Sequence, residues 1–287
     1  MSFRGTPPEA RSSSTRPVAI GEANRDDQLP VTGIVNRVKV PNTHEWRAVV
    51  TDPSIKTVML PIDSARKLVE LHSETARTYF RDDQTVITTT TIHDDILRKL
   101  DWGYELEIVR QFGPDYHIPT EYSVYQSMTR SEQAQAITDC MDGTEWFSTR
   151  LENHSTTVLL QAKGWLPWHY ERCRPTMKRL DKDFLVFYAA GYEGRVYELK
   201  EDLEALVSVL KPSGILVIGQ QSVRFLSKTL PEIVAAAGCR WRRQSGLEED
   251  GHDPQQHKRW KGEVEQYLAT GQAILSSYEI PQVKENG

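Results

Sequence analysis

The chain has 287 residues, a hydrophobic fraction of 38%, a charged fraction of 26% and a formal net charge of -5. That length suits one large domain or two ordinary ones, and the composition is that of a soluble globular protein. No apolar run reaches bilayer-spanning length, no hydrophobic segment follows the N-terminal arginines, and the acidic balance excludes a general nucleic-acid coat while allowing a local basic site. The three cysteines, Cys140, Cys173 and Cys239, stand far apart, without the paired spacing of a zinc site or a disulfide framework. The expectation is a cytoplasmic protein with no membrane partner, no metal and no cofactor.

Taken in chain order, residues 1–30 are rich in Pro, Ser, Arg and Asp, bury almost nothing, and read as a disordered tail. TGIVNRVKV or WRAVV then supplies a first strand. TVMLPID from Thr57 is short, apolar and β-branched, and SARKLVELHSETARTYF behind it has helical spacing at Leu68, Leu71 and Ala76. TVITTTT from Thr85 is followed by the helical stretch HDDILRKLDWGYELEIVRQF. PDYHIPTEYSVY from Pro114 is strand-like, and SEQAQAITDCMDGTEWF from Ser131 is helical. TVLLQAKG precedes the helix PWHYERCRPTMKRL, DFLVFYAAGY precedes VYELKEDLEALVSVLK, and GILVIGQQS precedes VRFLSKTLPEIVAAAG. CRWRRQSG reads as a further strand, followed by the helix HKRWKGEVEQYLATGQAILSSY.

Short apolar strands alternating with helices signal βαβ units and a parallel sheet. Neither GxGxxG nor GxxxxGK[ST] occurs, so the open nucleotide-binding sheets lose their marker. The expected fold is therefore α/β, a (β/α)8 TIM-type barrel occupying residues 31–287 as a single domain behind the tail.

In such a barrel the C-terminal strand ends form the active face. The residues expected there are Thr90, Thr91 and His93; Glu121 and Tyr122; Gln161 and Lys163; Tyr188, Tyr192 and Glu193; Gln220, Gln221 and Ser222; and Arg242, Arg243 and Gln244. Each has a plain alternative: His93 and Asp94 cap a helix, and Arg240, Arg242 and Arg243 form either a solvated charge run or a phosphate site. Their convergence on one rim is what suggests a polar pocket. HExxH, GxSxG and a Cys–His nucleophile pair are all missing from the sequence. Glu121 sits at the centre of the list, Gln161 offers both a donor and an acceptor, and Tyr188 and Tyr192 offer stacking faces. That set suits a planar, hydrogen-bonding heterocycle more than metal-assisted hydrolysis.

LLQAKG, then a helix, then FLVFYAAGYEG, a longer helix and ILVIGQQS resemble the second half of the tRNA-guanine transglycosylase barrel, including its relatives that modify DNA. The resemblance covers roughly residues 84 to 245. It implies that Gln161 corresponds to the glutamine that reads the purine, that Gly191 and Gly194 fall in the Gly-rich turn, and that Glu121 stands at or next to the nucleophilic aspartate. The family's Asp-Ser-Gly-Gly-Phe motif is replaced around Thr90 and Thr91, and its Cys-rich zinc motif has no counterpart. The function so implied is base exchange at guanine in tRNA or DNA, with a purine-like base as the second partner. Glu121 is then the catalytic carboxylate. Gln161, Lys163, Tyr188, Gly191, Tyr192, Gln220 and Gln221 bind substrate, and Arg240, Arg242 and Arg243 contact phosphates. Two alternatives stand beside it: a non-catalytic barrel that binds nucleic acid or a nucleotide, and a lyase or aldolase in which Lys163 forms a Schiff base.

Overall fold

The computed structural model describes residues 29–40, 42–92, 94–97 and 100–268. The expected tail lies outside the described residues except for its last two positions, and His93 lies outside them as well.

Nine strand segments, all paired in parallel, form one sheet: β1 (Gly33–Arg37), β2 (Thr57–Pro61), β3 (Thr85–Thr89), β4 (Tyr116–Ile118), β5 (Thr157–Val158), β6 (Leu160–Ala162), β7 (Phe184–Tyr188), β8 (Gly214–Ile218) and β9 (Ile233–Gly238). Their spatial order is β5-β4-β3-β2-β1-β9-β8-β7-β6. The two ends of that order are halves of one run, separated by Leu159 alone. β5 pairs with β4, the Leu159 amide donates to the His117 carbonyl at 2.9 Å, and β6 pairs with β7. The run 157–162 thus joins the two ends, and the sheet curls into the eightfold barrel that the sequence predicts.

A helix follows each stave: α1 (Thr43–Thr51), α2 (Ile62–His72) with α3 (Ala76–Tyr79), α4 (Asp94–Leu97) with α5 (Trp102–Phe112), α6 (Arg130–Arg150), α7 (Pro167–Arg179), α8 (Val196–Leu210), α9 (Val223–Leu226), and α10 (Arg240–Gln244) with α11 (Pro254–Leu268). Their bounds follow from capping chemistry. Thr129 and Glu132 form a reciprocal box that starts α6. Asp101 accepts from the Tyr104 amide at 2.8 Å, which splits the single helix expected over HDDILRKLDWGYELEIVRQF into α4 and α5. Ser73, at φ 55°, ends α2 with a left-handed cap and divides the preceding expected helix, SARKLVELHSETARTYF, into α2 and α3.

Two strand assignments differ from expectation. WRAVV belongs to α1, capped by Asn42, and the first stave is the TGIVNRVKV alternative. The last stave is IVAAAG, which reads as helix from its alanines, whereas the expected strand CRWRRQSG forms α10. All six residues of IVAAAG are buried between two neighbouring staves, so small size and enclosure override alanine's helix propensity.

Two apolar layers result. Val35, Met59, Ile87, Ile118, Leu159, Val186, Leu216 and Ala235 fill the barrel interior, and a larger set packs the helices onto its outside. Along the run 157–162, Leu159 belongs to the interior cluster. The strand period of two then aims Gln161 and Lys163 inward as well, toward the mouth. The strand ends in an amide and an ammonium because its last inward positions leave the apolar plug.

Candidate active site at the barrel mouth

Glu121 reaches the mouth through an unusual piece of backbone. Thr120, two residues beyond β4, has φ 50°, a left-handed conformation that a β-branched residue adopts at a cost of roughly 1–2 kcal/mol. Surrounding contacts hold it there. Its hydroxyl donates to the Cys140 carbonyl on α6 at 3.2 Å, and Gly143 of α6 lies so close that a Cβ at that position would stand 2.5 Å from the Thr120 side chain. The Glu121 amide then donates to Thr90 Oγ1 at 3.0 Å. Strain of this kind persists where neighbouring structure imposes it, typically at functional sites.

The carboxylate of Glu121 meets both polar residues at the end of the run 157–163. Gln161 Nε2 donates to Glu121 Oε2 at 2.8 Å, and Lys163 Nζ donates to Glu121 Oε1. All three side chains are buried. Because the Gln161 amide nitrogen is committed to the carboxylate, its Oε1 faces elsewhere and has no hydrogen-bond partner. A buried acceptor without a partner costs about 1–3 kcal/mol, which a donor from a ligand would recover. Burial disfavours the Lys163 ammonium, but the adjoining Glu121 carboxylate outweighs it and holds the group above its ordinary pKa. The two groups thus form a buried ion pair. Beneath it, burial pushes the Cys140 thiol up to about 12 and the Cys173 thiol up to about 11, so neither supplies a thiolate.

The triad lines a cavity of about 470 Å³, a size suited to a small organic ligand. Tyr188, Gly191 and Tyr192 line it together with Trp165, Phe187 and Tyr125, giving aromatic walls around a polar floor. Asp202 contributes from α8 and Arg195 from the position just before it; burial raises the Asp202 carboxyl above its usual range, and the Tyr192 hydroxyl donates to it. Among the described residues no group of His, Cys, Asp and Glu has the makings of a metal site.

Behind Lys163 the chain turns on Gly164, at φ 92°, where a Cβ would stand 2.4 Å from the His169 ring. His169 Nδ1 accepts from the Trp165 and Leu166 amides at 3.1 Å each, and its Nε2–H donates to Gln133 Oε1 at 3.3 Å. That bonding fixes one neutral tautomer. Burial, with Arg130 nearby, lowers its pKa to about 4.

Other expected site residues are placed differently. Gln221 is spent on the framework: its Nε2 donates to the Val35 and Ala236 carbonyls at 3.1 Å each, and its Oε1 accepts from the Arg240 amide at 3.2 Å. It ties β8 to β1 and β9 and does not border the triad's cavity, nor does Gln220. Arg242 is not a free phosphate contact either, since it pairs with Glu45 at 2.9 Å, whereas Arg240 and Arg243 are exposed on α10. Thr120, Gly143 and Trp165 are site-forming residues that sequence reading passes over. A positive φ on threonine and a close helix–strand approach leave no mark in composition or spacing. No family model and no curated protein matches the chain.

Proposed function

We propose that the barrel mouth binds guanine within a nucleic acid, DNA or tRNA, and exchanges that base through a covalent step at Glu121. The observation that carries this reading is the partnerless Gln161 acceptor, buried beside a carboxylate and an ammonium in an aromatic-walled cavity. Guanine offers the complementary edge, an acceptor carbonyl beside N–H donors, and a flat face for the aromatic walls. To reach a cavity of this kind, the target base leaves its stack.

In the resting pair, Lys163 neutralises Glu121 and keeps it aimed. A guanine whose carbonyl accepts from Lys163 and whose N–H donates to Gln161 Oε1 loosens that pair. A Glu121 oxygen then attacks C1′. The C1′–N bond breaks, its electron pair leaves with the purine, and the Lys163 ammonium stabilises the developing negative charge. A sugar–carboxylate ester remains. The incoming base displaces it by attack at C1′, the electron pair of the ester bond returns to Glu121, and the N–H proton that the incoming base loses replaces, at Lys163, the one that the departing purine takes up.

Burial of Lys163 at a strand end, at the floor of the cavity, favours a second reading, in which Lys163 forms an imine with a carbonyl substrate. Incubation with radiolabelled guanine and either DNA or tRNA separates the two. Label entering the polymer, and lost in Glu121→Gln, supports exchange. Absence of incorporation into both polymers, with borohydride-trapped carbonyl compound on Lys163, supports the second reading.

A further inference from the structure

The triad's cavity does not end at the aromatic wall. It shares Thr91, Ile92, Tyr125 and Tyr188 with a second cavity of about 730 Å³ over the ends of β1 and β2. Three cations converge on this second lobe, Arg37, Lys39 and Lys67, against one carboxylate, Asp63. Lys67 stands 3.9 Å from Asp63, at the outer limit of an ion pair, and both lysines keep exposed side chains or partial exposure at the cavity wall. The first turn of α2, whose N-cap Pro61 makes no side-chain hydrogen bond, borders the same space.

The basic wall is braced. Arg37 donates to the Thr91 carbonyl and, at 3.2 Å, to Thr91 Oγ1, which fixes the guanidinium between the two lobes. Glu45 accepts from the Lys39 amide at 2.9 Å and pairs with Arg242, so α10 holds the loop that carries Lys39. Trp241 Nε1 anchors the Arg37 carbonyl at 2.9 Å. The arginine expected at a phosphate therefore acts one step back, and the cations that face the cavity come from the end of β1, the connection after it and α2.

We infer that this lobe is a phosphate subsite: it takes the phosphate attached to the nucleoside whose base occupies the Glu121–Gln161–Lys163 lobe. This deepens the base-exchange reading and rests on it for the base. A wall with three cations to one carboxylate has the charge to hold a phosphate, and the shared residues make the two lobes one continuous cleft, as a nucleotide requires. Beyond Cys239, which lines the lobe, the exposed Arg240 and Arg243 extend positive charge outward along α10, in keeping with a polynucleotide strand leaving the cleft.

The test is calorimetric titration of the full chain with guanine, guanosine, GMP, ribose 5-phosphate and a short single-stranded oligonucleotide containing one guanosine. GMP is expected to bind at least ~10-fold more tightly than guanosine, the scale of one or two charge-assisted contacts. In Lys39→Ala/Lys67→Ala the GMP-to-guanosine ratio should fall toward one, with circular dichroism confirming the fold. Tighter binding of the oligonucleotide than of GMP, with a steeper salt dependence, assigns the phosphate to a polymer backbone; the reverse assigns it to a free nucleotide. Ribose 5-phosphate binding that depends on Lys39 and Lys67, without guanine or guanosine binding, would sink the base reading and leave the phosphate lobe standing. A GMP-to-guanosine ratio near one in the wild type, or a ratio that survives the double substitution, overturns the subsite.

Discussion

Replacing Lys163 by Met should cost far more stability than replacing a surface lysine, and the excess should disappear when Glu121 is neutralised too. The side chains of Lys163 and Glu121 are 5% and 8% exposed, so both charges have lost most of their water. At hydrogen-bonding contact, ~3 Å, and an effective dielectric of ~20, their attraction is about 5 kcal/mol, which offsets several kcal/mol of desolvation per ion. Lys163→Met removes the attraction and leaves the desolvated carboxylate with only the Gln161 amide, a loss of about 3–5 kcal/mol. Glu121→Gln keeps an acceptor for the ammonium and should cost about 2–3 kcal/mol. In the double variant no charge is stranded, so its loss should fall short of the sum by about 2–3 kcal/mol. Guanidinium denaturation of the four proteins at pH 7, followed by fluorescence and circular dichroism, measures the cycle. Additivity within ~0.5 kcal/mol would show that the two groups do not interact and would refute the reasoning.

Three further outcomes follow from the same geometry. Gly164→Ala forces a Cβ against the His169 ring at a positive φ, so it should cost more than ~2 kcal/mol and shift Lys163, seen as a lowered Tm together with weakened ligand binding. His169 is held down to about 4 in the folded protein, so the unfolded chain takes up its proton first as pH falls; the stability from its neutral form is complete above the ordinary 6.5 and is lost as pH drops through the window down to about 4. Between pH 7.5 and 5 that loss should be about 2 kcal/mol in the wild type, and His169→Gln should flatten this part of the pH–stability curve. Gln221→Ala should lower stability by about 1–3 kcal/mol while the remaining folded protein keeps its guanine affinity, because its amide serves three backbone groups and not the cavity.

The barrel was legible because strand and helix periods alternate along the chain, and each period reports which face is buried. Gln161 and Lys163 were readable as residues at a strand end, but that both turn inward became clear only once Leu159 was seen in the barrel interior. The last stave was not legible. IVAAAG is enclosed on every side, so it shows no alternation, and its alanines read as helix. Glu121 was readable as a rim residue, but its meeting with Lys163 depends on the left-handed turn at Thr120 and on Gly143, some twenty residues away on another helix. The basic lobe was missed because Arg37 at the end of β1, Lys39 just after it and Lys67 on α2 acquire a common target only when β1 and β2 lie side by side. The arginines of CRWRRQ, conspicuous as a run, include one whose role is to brace that lobe.

The central claim is that Glu121 becomes covalently attached to substrate. Incubating the protein with a guanine-containing oligonucleotide, quenching in acid and mapping proteolytic peptides by mass spectrometry tests it directly. The account predicts a sugar-bearing mass on the peptide that contains Glu121, absent in Glu121→Gln and discharged when free guanine is added before the quench. A borohydride-stabilised adduct on the Lys163 peptide, with the Glu121 peptide unmodified, would contradict it.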